Sequence, residues 1–92
     1  MPQVFRIGPY AVYFWANEGM PIEPVHVHVS METPQSNATK IWITSAGKSY
    51  LCNNNSNIPP KTLRNIMRMI EARSAAIIAQ WNDYFGEVCF YI

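Results

Sequence analysis

A chain of 92 residues has room for one hydrophobic core, which excludes a two-domain organisation. Hydrophobic residues make up 49% of the chain and charged residues 14%, which is typical of a globular protein whose surface is poor in charge. The formal net charge of +1 excludes the strongly basic balance of a dedicated nucleic-acid binder. The two cysteines, Cys52 and Cys89, form no C-x-x-C motif, which excludes a disulfide-rich scaffold and indicates a reducing compartment.

The amino-terminal half is rich in β-branched and aromatic residues and predicts a series of short strands. Gly8 and Pro9 separate the first two strands and predict a tight turn between them. The segment from Ala16 to Pro21 collects turn-forming residues and predicts a loop. We predict strands over residues 4–7, 10–15, 25–31 and 38–44, with a short fifth strand near Tyr50.

Apolar residues between Leu63 and Phe85 recur at intervals of three and four residues, which predicts one long amphipathic helix. Pro60 suits its first position, and Gly86 is placed to end it. At ~1.5 Å per residue the helix has a length of about 37 Å, which exceeds a typical strand. We therefore expect the helix to cross the sheet diagonally or to overhang it, and an overhanging apolar stripe needs another chain.

Together these elements predict an α+β domain over residues 1–92, in which a small antiparallel sheet of four to five strands packs against one long C-terminal helix in two layers. Residues 87–92 alternate in polarity and offer a short final strand. The first ten residues lack the uninterrupted apolar core of a signal peptide, and no run has the length of a transmembrane helix. We expect a cytoplasmic protein without a membrane partner.

Two histidines stand one residue apart in the third predicted strand, in the stretch EPVHVHVS. Alternate strand residues point the same way and lie ~6.6 Å apart, so that His26 and His28 can converge on one divalent metal ion. Such a site needs a third ligand, and the candidates are Glu18, Glu23, Glu32 or a cysteine. No cofactor is predicted outright, because none of these residues stands at a diagnostic spacing.

Two other interpretations of the histidine pair remain open. Two imidazoles can share general acid and base duties in phosphodiester cleavage if a cation such as Arg6 or Lys40 holds the phosphate. The simplest interpretation of the pair, which we favour, is a half-exposed strand whose valines face the core while His26 and His28 lie on its polar, solvent-facing side.

A basic stripe lies on the amino-terminal half of the predicted helix, where Lys61, Arg64 and Arg68 follow one another at helical spacing. Because this end of a helix dipole favours anions, the stripe is a candidate anion-binding surface. The alternative is a solvated face on which Glu71 pairs with Arg68.

Aromatic residues crowd both faces of the second predicted strand, at positions 10, 13, 14 and 15. They indicate a central strand covered on both sides or an interface, and a nucleotide-stacking platform is the third possibility.

The ordered stretches VFRIGPY, YFWANE, PVHVHV, KIW and LRNIMRMIE followed by WNDYFG resemble the domain of unknown function family 4160 over residues 1 to about 86. The resemblance implies a small cytoplasmic bacterial protein, often encoded beside another short protein in a manner suggestive of toxin–antitoxin pairs. It supplies no catalytic residues. The chain departs from the family pattern in Val25 after Pro24, in extra residues between Met31 and Lys40, and in the C-terminal extension 87–92.

From low charge, surplus aromatic residues and the long apolar helix we predict a non-enzymatic interaction module that works as a homo-oligomer or with an operon partner. One alternative is a nucleic-acid-directed toxin or metal-dependent hydrolase that uses His26 and His28. Another is a transcriptional autoregulator whose Arg64 and Arg68 contact DNA phosphates.

Overall fold

Five strands form one antiparallel sheet, and two helices follow them in the chain. The computed structural model describes residues 3–18 and 21–92. The strands lie in the sheet in their chain order, so that each pairs with the next. The prediction of an α+β fold with a small antiparallel sheet is confirmed. The elements are β1 (Gln3–Ile7), β2 (Tyr10–Tyr13), a 3-10 turn (Ala16–Glu18), β3 (His26–Met31), β4 (Thr39–Ile43), β5 (Ser49–Asn53), α1 (Pro60–Ala72) and α2 (Ser74–Phe85).

The predicted turn between the first two strands is also confirmed. Ile7 pairs with Tyr10 across it, and Gly8 has a φ of 55°. Glycine adopts this left-handed conformation without the steric cost that a Cβ imposes, which lets the two strands reverse direction over two residues.

The prediction of one long helix is wrong, because the helix breaks at Arg73. This residue has φ −108° and ψ 13°, outside the helical range, and its amide N–H reaches the carbonyls of both Met69 and Ile70 at 3.1 Å. The longest dimension of the fold is 33 Å, so a straight helix of about 37 Å would extend beyond it. The break keeps both helices against the sheet, and the argument that an overhanging stripe needs another chain fails with it.

The main core lies between one face of the sheet and the helices. Alternate residues of β2, β3 and β4 supply one side of it, and the apolar faces of α1 and α2 supply the other. Trp81 of α2 is fully buried, and its ring centroid lies 5.0 Å from that of Phe14 and 4.5 Å from that of Phe85. The second helix ends as predicted at Gly86, which has a φ of 82°.

The C-terminal tail, residues 87–92, is extended but forms no strand, so the optional final strand of the prediction is absent from this described segment. It is nevertheless attached to the sheet. The amide of Val25 donates to the carbonyl of Cys89 at 2.9 Å, and the amide of Ser45 donates to that of Ile92 at 2.8 Å. The ring of Tyr91 stacks on that of Trp42 at a centroid distance of 4.9 Å.

The second face of β3 is buried, which corrects the expectation of a solvent-facing side. His26, His28 and Ser30 are all buried, as are the valines that alternate with them. A second small core of Ala11, Tyr13 and Ala38, with Trp15 packed against it, lies on this side. The nucleotide-stacking platform is excluded as well, because three of the four aromatic residues proposed for it are buried.

Among the described residues, no helix is long and apolar enough to cross a membrane.

Candidate metal centre

The segment that follows β2 places a carboxylate over the second face of β3. The 3-10 turn begins after Trp15, and Glu18 is its third residue. Its Oε1 atom accepts a hydrogen bond of 2.6 Å from the backbone N–H of Trp15, a contact that matches the reach-back of a capping box. The turn therefore holds the carboxylate in place by its own backbone.

Glu18, His26 and His28 form one buried cluster, which we call the Glu-His-His cluster. The Oε2 atom of Glu18 lies 2.6 Å from Nε2 of His26 and 2.8 Å from Nε2 of His28. The two imidazole rings are 5.0 Å apart and nearly perpendicular. All three potential ligand atoms lie within 4.8 Å of one another.

The carboxyl group of Glu18 is held in its ionised form. Burial raises its pKa, but the hydrogen bonds with His26 and His28, the coulombic attraction of His26 and the Trp15 amide together outweigh that effect. The net result is a pKa far below the usual range of a glutamic acid. The cluster thus contains a buried negative charge that needs a positive partner.

The hydrogen bond of His26 to a backbone carbonyl fixes the place of one ring proton. Its Nδ1 atom lies 2.9 Å from the carbonyl oxygen of Pro24, and because a carbonyl only accepts, Nδ1 carries the hydrogen. In the neutral imidazole Nε2 is then a bare lone pair, 2.6 Å from a carboxylate oxygen. Two acceptors at this distance require a cation between them, either an additional proton or a metal ion.

The donor set suits a divalent transition metal. Zinc accepts two imidazoles and one carboxylate, at distances of about 2.0–2.2 Å to each ligand atom. In tetrahedral coordination the ligand atoms stand about 3.4 Å apart, so the present N···O contacts need to open by less than ~1 Å. The Trp15 amide and the Pro24 carbonyl already orient Glu18 and His26 by hydrogen bonds to the atoms that would face away from a metal ion.

The structure selects Glu18 from the candidates for a third ligand. Glu32 is exposed, lies beyond the end of β3 with a φ of 66°, and is therefore outside the cluster. Glu23 forms an ion pair of 3.4 Å with Lys40 instead. Cys52 is exposed on β5, and Cys89 belongs to the tail.

The predicted anion-binding residues Lys61, Arg64 and Arg68 are all exposed on α1, away from the Glu-His-His cluster in the chain. The expected pairing of Glu71 with Arg68 is wrong. The carboxylate of Glu71 accepts hydrogen bonds from the amide and the hydroxyl of Ser49, at 2.9 and 2.8 Å. These contacts hold the pKa of Glu71 below its ordinary value, with the backbone bond as the largest cause. Anion binding by the stripe stays a prediction.

Three contributions to the site were not predicted. The Pro24 carbonyl and the Trp15 amide are backbone groups, which carry no residue-type signal. Trp81 also lies against the site, with its ring 5.2 Å from that of His26. The sequence did not favour Glu18 over its rivals, because the turn that fixes its third position was predicted only as a loop. Beside this turn, Trp15, Asn17 and Ser36 line an open cleft of about 320 Å³.

Comparison with curated proteins and with solved structures finds no match. The family model described as Domain of unknown function (DUF4160) matches residues 10–82, a segment that contains the whole Glu-His-His cluster. Since this match covers most of the 92 residues, the chain belongs to the domain of unknown function family DUF4160.

Proposed function

We propose that the protein binds a divalent transition-metal ion through Glu18, His26 and His28, with zinc as the best match to this donor set. The observation that carries the proposal is the contact of 2.6 Å between Nε2 of His26 and a carboxylate oxygen of Glu18, beside which Nε2 of His28 lies at 2.8 Å. A metal ion satisfies both groups at once and also takes the Nε2 atom of His28.

Two alternative explanations for the cluster are a proton on His26 and a purely structural role. An extra proton on His26 also satisfies the contact with Glu18, and metal retention distinguishes it from a metal ion. Apolar residues usually fill a purely structural role at a lower cost in folding free energy, because burying charged groups carries a desolvation penalty. The two buried histidines are also the only histidines of the chain.

Three protein ligands leave the fourth tetrahedral position for water or a ligand, as in catalytic zinc sites and unlike closed structural sites. Glu18 and His28 are each slightly exposed through their side chains, which gives an ion a path of entry. These features favour a reactive or ligand-binding centre, and they support the metal-dependent alternative more than the purely non-enzymatic one.

The test is metal retention by protein purified without a histidine tag or chelator. We expect one zinc ion per chain after dialysis, measured by elemental analysis, and its loss in His26→Ala and His28→Ala. Glu32→Gln is the matched control, because Glu32 lies outside the cluster, and it should retain the ion. Circular dichroism shows whether each variant is folded. Wild-type protein that retains no zinc after loading would refute the proposal.

Self-association is a second candidate function, supported by one edge of the sheet. Within residues 3–18 and 21–92, β5 pairs only with β4, and Tyr50 and Leu51 are exposed along it. Tyr50 is 49% exposed, and the neighbouring Tyr91 of the tail is 54% exposed. An uncharged edge strand with exposed apolar residues is a ready template for another strand.

The oligomeric state tests this second candidate. Light scattering on the purified chain should give a dimer, and Leu51→Lys should give a monomer, because a charge on an edge strand opposes pairing. A wild-type monomer at high concentration would count against it. An operon partner in a toxin–antitoxin-like pair, and DNA binding through Arg64 and Arg68, stay predictions.

A further inference from the structure

Lys40 is the cation nearest in the sheet to the Glu-His-His cluster. It pairs with His28 in the register between β3 and β4, so the two side chains leave the same face as direct cross-strand neighbours. Such neighbours have Cβ atoms about 4.5–5.5 Å apart. The Trp42 ring that the Lys40 ammonium group contacts also lies 5.5 Å from the ring of His26.

The surroundings of Lys40 hold its ammonium group in a defined place. Its Nζ atom lies 4.3 Å from the centroid of the Trp42 ring, and 3.4 Å from Oε1 of Glu23. The side chain of Lys40 is 20% exposed, whereas that of Glu23 is 39% exposed. The lysine is therefore the more enclosed partner, and the glutamate lies at the rim where an incoming anion can replace it.

We propose that the metal centre and Lys40 together bind a phosphate group, an inference that rests on the proposed metal binding. A divalent ion coordinated by one carboxylate keeps one net positive charge, and Lys40 adds a second. A phosphate dianion matches this pair of charges, with one oxygen at the open metal position and another at the ammonium group. Glu23 is the internal competitor that holds Lys40 while no ligand is bound.

Two substitutions separate the lysine from its competitor. Lys40→Met keeps most of the apolar stem while it removes the charge, so phosphate affinity should fall about tenfold. Glu23→Gln releases Lys40, so affinity should rise roughly threefold. Neither residue belongs to the metal ligand set, so both variants should load metal like the wild type. Lys48→Met, at an exposed position in the turn before β5, is the matched control and should bind phosphate like the wild type.

The measurement is the visible absorption of the full chain loaded with Co²⁺, which replaces zinc in such sites and reports changes in its ligands. Titration with inorganic phosphate should shift the cobalt bands of the wild type. A parallel titration with diethyl phosphate distinguishes the ligand class: a response to inorganic phosphate alone assigns a terminal phosphate, and a response to both assigns a diester as well.

The outcomes distinguish the two proposals. If the wild type develops no cobalt bands, metal binding itself fails and the phosphate site fails with it. If the bands form but phosphate leaves them unchanged, or if Lys40→Met responds like the wild type, only the phosphate site is overturned. Loss of the response in Lys48→Met to the same extent as in Lys40→Met would show general charge attraction and would also overturn it.

Discussion

Replacing Glu18 by glutamine distinguishes a metal centre from a cluster held together by hydrogen bonds alone. Glutamine has the same shape, and its carbonyl oxygen still accepts from the Trp15 amide. Its NH₂ group takes the place of Oε2 and, unlike a carboxylate, can donate to Nε2 of a neutral His26. Without metal the variant should therefore lose about 1 kcal/mol of stability, chiefly because the contact with His28 is no longer charge-assisted. With metal it loses its anionic ligand.

The expected magnitude follows from the linkage between binding and folding. At a free zinc concentration of one hundred times Kd, an ion that binds only the folded state stabilises it by about 2.7 kcal/mol. In a domain of this size each kcal/mol raises Tm by about 4–8 °C. The wild type should therefore melt about 10–20 °C higher with zinc than with a chelator, and Glu18→Gln should show no such difference.

Thermal unfolding followed by circular dichroism, with zinc and with chelator, measures both quantities. Glu23→Gln is the control: it removes the charge of a nearby carboxylate outside the cluster, so it should keep the full zinc-dependent rise. The reasoning is refuted if Glu18→Gln rises by as much as the wild type. It is refuted equally if the wild type melts at the same temperature in both conditions.

Three further predictions concern the fold. Trp81→Ala leaves a cavity at the centre of the core and should lower the free energy of unfolding by about 3–5 kcal/mol, measured by urea titration. A loss below ~1 kcal/mol would contradict the close packing of Trp81 in the core. The pKa of Glu71 is lowered in the folded state, so its bonds to Ser49 stabilise the protein at pH values above 4.5, the ordinary pKa of this carboxyl group. This contribution disappears as the pH falls through the lower pKa of the folded state. The stability difference between the wild type and Glu71→Gln should thus be present at pH 7 and shrink under acid, and a difference independent of pH would argue against the bond. Gly47→Ala should destabilise the protein by about 1–2 kcal/mol, because Gly47 has a φ of 78° and an added Cβ would lie 3.0 Å from Oγ of Ser74. An unchanged Tm of this variant would contradict the prediction.

The break between the helices shows where a periodic pattern stops being informative. The helical spacing continues across Arg73 with the small Ser74 between Ile70 and Ile77, and no proline or glycine marks the break. What ends α1 there is the size of the sheet below it, together with the contact of the Arg73 guanidinium with the Phe5 ring at 4.6 Å. Neither property is visible in the local pattern, since β1 is more than sixty residues away in the chain.

The histidine pair shows the same division. Strand alternation placed both imidazoles on one side of β3, but it also predicted that this side is exposed to solvent, because polar residues alternate with valines there. Burial came from elements that fold back over that face, chiefly the 3-10 turn and the residues around Tyr13 and Trp15. Three glutamates were equivalent candidates in the sequence, and only the path of the chain after β2 distinguished Glu18.

Local features therefore came from the sequence itself: the five strands, the Gly8 turn, the helical ends at Pro60 and Gly86, and the two histidines on one side of a strand. Each depends on backbone preferences and on periodicity over a few residues. The tertiary structure alone decided the helix break, the burial of both faces of β3, the ion pair of Lys40 and the choice of Glu18. These depend on which surfaces meet when the elements pack, and that is set by contacts between segments that no short-range pattern relates.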